Sequence, residues 1–518
     1  MSTLDLIIVV SFLIATTLLG AWLGRGDKNL GDFLLAGRQM PWWLILGSIV
    51  ATETSTATFL SVPGRAYDPS EGDFRFLQVV FGFALGRILV STFLLPRYFE
   101  GKLFSAYEVL QTRFGAATRK IASGIFLLAR NLGDGLRLYL TAIALYQLVA
   151  AAPGANASQE AWIFPACVLA IGISTMVYTS IGGMRSVVWN DCIQLVIYLL
   201  GAILAAVIIL QRLPHGMETV WETIRAENKL RLVDWHFANF TQFPKTGGYT
   251  LLAGLLGGGF LSFGTHGVDQ MMVQRYLAAR SQRDARIALV GSGLFIVAQF
   301  ALFLAIGVLL RAFYLHVSPQ TQFTANDQVF ATFIARELPI GAKGIVIAAI
   351  LAAAMSTLSS SFSSSASALM SDFLGAKSDD NAPSGELFLG RIATYAFGVI
   401  QMLVAIAVYY RNSDKSVVDQ VLSLAGVTTG LTLGIFLLGQ IVPKAKERDA
   451  VIAIIVGIAA VAFLFYGLTP LQTQWLAIEP KKVIKIPDLL NSVIFSTIVL
   501  TTGALTSRFS TVTPQPKN

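Results

Sequence analysis

The sequence predicts an all-helical protein that crosses a membrane many times and is built from two five-helix repeats of inverted topology. Three observations carry this expectation. Hydrophobic residues make up 54% of the 518 and charged residues only 13%, whereas a soluble domain carries roughly 25% charge; mean hydropathy is +0.65. Apolar runs near the roughly 20 residues needed to cross a bilayer recur from one end to the other. Two of those runs are interrupted midway, and they lie five runs apart.

The runs fall at about 4–24, 43–64, 77–98, 118–150, 161–180, 189–212, 249–278, 286–314, 338–372, 387–410, 417–441, 449–467 and 488–506, which makes thirteen spans in one transporter domain, 1–518. The first, 4–24, is an extra helix. No Lys or Arg precedes Arg25, so it lacks the basic flank of a cleavable signal. The five-helix repeats are 43–212 and 249–441, two C-terminal helices occupy 449–506, and 507–518 is a short tail.

Basic residues collect in alternate loops: Arg25, Lys28 and Arg38; Lys102, Arg113, Arg119 and Lys120; Arg275, Arg280, Arg283 and Arg286; Lys444, Lys446 and Arg448. The positive-inside rule makes these loops cytoplasmic, with the N-terminus outside and the tail inside. The net charge of +8 therefore reflects membrane orientation, and no nucleic-acid groove is implied. Two cysteines, Cys167 and Cys192, both fall within spans. The four histidines show no metal-ligand spacing, so enzyme chemistry has no evident foothold.

A fully hydrogen-bonded helix offers no carbonyl to an ion, so interruptions are the places to look. The second span changes at Ala51 from apolar to hydroxyl-rich residues and carries Glu53 near its middle. The seventh contains Gly257, Gly258 and Gly259, then Gly264 and Gly267. Those glycines either break the helix or let neighbours pack closely. The ninth carries ten hydroxyl side chains between Leu351 and Asp372. Ser356, Ser359, Ser360 and Ser363 recur at helical spacing and share one face. Neutral oxygens suit a hard cation, although membrane serines also bond back to their own helix and permit close approach.

The motifs AAAMSTLSSSFSSSASALMSD, GGMRSVVWNDCIQLVIYLLG and DQMMVQRYLAAR resemble those of the sodium:solute symporter family. The resemblance implies a LeuT-like 5+5 inverted repeat and a main sodium site made by the carbonyls of Ala51, Thr54 and Ala353 with the hydroxyls of Ser356 and Thr357. Some members hold a second sodium at positions that match Asp191, Ser356, Ser359 and Ser360; Asp191 could equally cap its helix. The resemblance places the substrate near Glu53, Thr58, Gln78, Arg137, Phe263 and Leu422. The sugar-binding side chains of the family are replaced here by Glu53, Thr58, Ile296 and Leu422, which disfavours a hexose.

An acid in mid-membrane is functional by default, and Arg87 or Arg137 can neutralise Glu53, because Arg130 and Asp134 pair along their own helix. The implied function is sodium-coupled import of a small polar organic solute, a carboxylate or amino acid ahead of a sugar, by alternating access. Sodium is the implied coupling ion. The bilayer of the plasma membrane, or of a bacterial inner membrane, is the implied setting, and no obligate protein partner is evident. Two rivals differ in kind: a proton-coupled symporter using Glu53 or Asp191, and a non-transporting receptor, for which the 507–518 tail is short.

Overall fold

A computed structural model describes residues 2–24, 28–70, 72–101, 103–150, 157–235, 250–323, 325–326, 328–376, 384–411, 417–467 and 490–509. Leu422 lies where only the backbone is described, and the end of the tail, 510–518, lies outside the described residues. The principal helices are α1 (Thr3–Leu23), α2 (Trp42–Glu53), α3 (Thr56–Tyr67), α4 (Leu77–Tyr98), α5 (Ala116–Ala150), α6 (Ala157–Arg212) and α7 (Leu251–Gly267). They continue as α8 (Gln270–Leu277), α9 (Gln282–His316), α10 (Ala342–Phe373), α11 (Ser384–Arg411), α12 (Val417–Ile441), α13 (Glu447–Phe465) and α14 (Asn491–Phe509).

Among the described residues, nine helices are long and apolar enough to cross a membrane, or eleven spans if each bent pair counts as one. The expected count of thirteen differs at two places. α5 carries Arg130, Asp134 and Arg137 in its middle, which lowers its hydropathy. α6 runs for 56 residues with a break in helical geometry at Gly183 (φ 53°). A Cβ placed on Gly20 of α1 would lie 2.7 Å from Tyr178 and 2.5 Å from Asn190. Those residues would stand about 18 Å apart along a straight helix, so the chain doubles back at Gly183. The expected runs 161–180 and 189–212 are its two arms.

α1 buries one narrow stripe, Asp5, Val9, Phe12, Thr16 and Gly20, against α6 and the start of α10, where Asp5 accepts from the Gly341 and Gly344 amides, and leaves the rest to lipid. α10 is the opposite case: 94% of its apolar window is buried, against 22% for α1. Serine can fill such a position because its hydroxyl bonds back to its own helix, as Ser360 Oγ does to the Ser356 carbonyl at 2.7 Å. α7 lies along α4 at backbone contact distance; a Cβ on Gly258 would meet the Val79 carbonyl at 2.5 Å. The Gly257–Gly259 run therefore serves close packing, and α7 breaks later, after Gly267.

Candidate functional site

Two pairs of helices are bent at short breaks, α2/α3 by 66° and α7/α8 by 57°. At the first, the run TETST supplies hydroxyls that compete for backbone hydrogen bonds. Thr54 leaves helical geometry, and its hydroxyl donates to the Val50 carbonyl at 3.0 Å. A helix end leaves its last carbonyls without intrahelical partners. Here α10 meets them: Ser356 Oγ donates to Ala51 O and Thr357 Oγ1 to Thr52 O, each at 2.9 Å. The same hydroxyls lie 3.1 and 3.3 Å from Ala353 O.

Four of the five oxygens expected at the main sodium site, those of Ala51, Ala353, Ser356 and Thr357, thus stand together in the buried interior. The carbonyl that faces Thr357 belongs to Thr52. Thr54 instead turns its hydroxyl toward Tyr198 at 3.1 Å and toward Gln299.

One helical turn away, Asp191 Oδ2 accepts from Ser48 Oγ at 2.5 Å, from Thr52 Oγ1 at 3.3 Å and from the Arg275 guanidinium at 3.0 Å. Arg275 also donates to Ser360 and to Thr52. Asp191 Oδ1 is buried and has no hydrogen-bond partner among the described residues. Asp191 therefore ties α6 to α2 and α8 and has a role beyond capping. Ser359 Oγ bonds locally to Ser356 O at 3.1 Å. No cluster of three or more His, Cys, Asp or Glu residues able to hold a metal occurs among the described residues.

Glu53 points to a cavity of about 260 Å³ lined by Thr58, Arg65, Phe83, Arg130, Asp134, Arg137, His266 and Asp269 among others. Its partner is Arg87, fully buried behind it, which settles the choice left between Arg87 and Arg137. His266 sits between them, with Nε2 3.2 Å from Arg87 and 3.6 Å from Glu53, and Nδ1 3.1 Å from the Tyr276 hydroxyl. Arg130 bridges to Asp269 at the second break and lies 3.5 Å from Asp134. Arg137 donates to the other Asp134 oxygen at 2.6 Å and keeps a quarter of its side chain exposed.

Of the residues expected near substrate, Glu53, Thr58 and Arg137 share this cavity. Gln78 does not line it: it is fully buried, donates to the Arg75 carbonyl at 3.2 Å and accepts from the Asp234 amide at 3.1 Å. Phe263 packs in the core beside Gly86 and Gly267. The Leu422 side chain lies outside the described residues, and Leu424, two positions on, lines the cavity. Sequence reasoning passed over His266 and counted Arg275 with the loop cations, whereas it lies buried in α8 and pairs with Asp191. A histidine one residue before the glycine that ends an apolar helix, and an arginine within the motif DQMMVQRYLAAR, were the available signals.

Two helices broken at matching places, with freed carbonyls facing hydroxyls of a buried helix beside a cavity, define a cation-coupled secondary transporter. The chain belongs to the Sodium:solute symporter family, whose profile matches residues 33–457. Sodium is its coupling ion, and it is a multi-pass membrane symporter. It is 28% identical to the sodium/sialic acid symporter NanT of Aliivibrio fischeri over 90% of each chain. It is 26% identical to the human sodium/iodide cotransporter over 90% of this chain and 71% of that one. Among solved structures it resembles a Na+-coupled sialic acid symporter in a substrate-bound, outward-open state, with a TM-score of 0.82, 26% identity and 98% of each chain covered. The nucleobase-cation symporter Mhp1, at 13% identity and a TM-score of 0.53 over 92% of this chain and 96% of that one, shares the fold. The expected LeuT-like architecture therefore holds.

Proposed function

We propose that this symporter imports a small organic anion, with a carboxylate held by Arg137. The observation that carries the reading is the cavity itself. Its volume of about 260 Å³ is at the small end for organic ligands. Arg137 reaches its wall with one carboxylate neighbour, whereas Arg87 and Arg130 are each committed across helices. A guanidinium with donors to spare matches a carboxylate in geometry as well as charge. Relatives named for sialic acid, monocarboxylates and iodide are consistent with anionic cargo.

Coupling runs through Ala51, Ala353, Ser356 and Thr357 at the first break, with Thr52 or Thr54 supplying the remaining carbonyl. Asp191 Oδ1, buried and without a hydrogen-bond partner among the described residues, favours a second sodium ion there, beside Ser359 and Ser360. Energetics point the same way. One sodium carried with a monoanion moves no net charge, so only the gradient drives uptake, about tenfold for a tenfold gradient. A second sodium adds another tenfold and about 2.3 kcal/mol at 100 mV, which together sustain several-thousandfold accumulation. The two repeats, 43–212 and 249–441, would rock about this site, with the basic loops and the tail on the cytoplasmic side.

The test is uptake into sodium-free proteoliposomes, with and without external sodium, across a panel of monocarboxylates, sugar acids, amino acids and hexoses. Sodium-dependent uptake of a carboxylate, with KM raised about tenfold or more in Arg137→Gln, is the expected result. Preference for an uncharged sugar, or an unchanged KM in Arg137→Gln, would overturn the assignment.

A further inference from the structure

The molecule has a second large concavity, unconnected with transport. An open groove of about 650 Å³ lies at the end of the bundle where α1 ends, α2 begins and α6 turns, bordered by the 278–280 segment. Trp22, Trp43 and Trp189 form its walls, and Arg185 and Arg280 its basic edge. No Asp or Glu is among its described lining residues.

The rim is rigid. Met40 and Ala279 form a β-bridge, the Arg280 amide donates to Met40 O at 3.1 Å, and Arg280 Nε donates to Gln39 O at 2.9 Å. Trp43 and Trp189 pack edge to face with centroids 5.6 Å apart. Arg185 forms no ion pair or hydrogen bond with any described residue. An arginine held at a preformed aromatic groove without a carboxylate presents an anion site.

The surface above the groove identifies what kind of anion. On α6, Trp189 is followed at helical spacing by Val196, Leu200 and Ile203, exposed by 54%, 58% and 46%. On α1, Trp22 at 62%, Leu18 at 65% and Ile14 at 53% form the matching stripe. At 1.5 Å per residue, Trp189 to Leu200 and Trp22 to Ile14 both span roughly the depth of one leaflet. Two apolar tracks thus rise from a pocket of tryptophan and arginine at interface level, where tryptophan belts sit.

We infer that this groove binds an anionic phospholipid, its phosphodiester on Arg185 and Arg280, its glycerol between the tryptophans and its acyl chains along α1 and α6. The leaflet is the one that meets the basic end of the bundle. The site ties the extra helix α1 to the repeats at the turn where α6 reverses.

Native mass spectrometry of the full-length protein, released from nanodiscs holding equal phosphatidylglycerol and phosphatidylcholine, tests this. The wild type should retain phosphatidylglycerol at least about fivefold in preference, the size expected per basic residue near an anionic surface. Arg185→Gln, which breaks no bond to a described residue, should lower that preference to about twofold or less. Sodium-driven uptake by the same variant shows that it is folded. No preference in the wild type, or the same preference in Arg185→Gln and in the Arg185→Gln, Arg280→Gln pair, overturns the site. Displacement of the bound species by soluble glycerol 3-phosphate would make it a site for a free phosphate ester and would also overturn the lipid assignment.

Discussion

The two helix breaks resemble each other in place and angle and differ in what they leave open. At α2/α3 the freed carbonyls of Ala51 and Thr52 face the hydroxyls of Ser356 and Thr357 at 2.9 Å. At α7/α8 the groups are met differently: Asp269 caps α8 by accepting from the Met271 amide at 2.9 Å, Arg130 neutralises Asp269, and Tyr98 donates to the Gly267 carbonyl. Repeat architecture thus supplies two similar interruptions, and the side chains that meet them differ: hydroxyls of α10 at one, the proposed ion site, and a capped, arginine-paired aspartate at the other.

The largest expected effect comes from removing a ligand at the first break. Thr357→Ala deletes one oxygen and leaves α10 helical, so the sodium concentration for half-maximal uptake should rise about tenfold, as for loss of one hydrogen bond to a charged group. Wild-type sodium dependence in both Thr357→Ala and Ser356→Ala would break the comparison outright. Ser359→Ala asks whether the site extends toward Asp191. Its hydroxyl bonds back to Ser356 O of its own helix at 3.1 Å, so the helix should hold while a sigmoidal sodium curve becomes hyperbolic and shifts about threefold, less than a full ligand loss. A hyperbolic curve in the wild type would rule out the second ion.

The smallest effect belongs to the second break. Tyr98→Phe removes a single bond to Gly267 O, costing about 1 kcal/mol of stability, readable as a lower melting temperature. Sodium dependence should stay within about twofold, well below one lost ligand. If Tyr98→Phe moved the sodium curve as far as Thr357→Ala, the second break would be a coupling site too.

Several parts of this were legible in the primary structure. The TETST run announced the first break, because hydroxyl side chains compete with the helix over a few residues and need no distant partner. The common face of Ser356, Ser359, Ser360 and Ser363 followed from helical period alone. The glycines of α7 left two readings open, and both occur: the triple run packs on α4, where a Cβ would meet the Val79 carbonyl at 2.5 Å, and the bend comes after Gly267. Absence of a side chain is compatible with both a break and a close approach, and the neighbouring helix decides between them.

By itself the sequence determined the membrane class, the helical runs, the hydroxyl face of α10 and the place where α2 ends, since each is a property of composition or of short-range spacing. Only the tertiary structure decided that Glu53 pairs with Arg87, 34 residues away, that Asp191 meets Arg275, 84 away, and that α1 and α6 frame a groove with tryptophans from three helices. A helical period tells which side of its own axis a residue occupies. Which charge stands opposite depends on how the helices pack, and in a membrane interior an unpaired charge costs enough that this choice, once made, holds the bundle together.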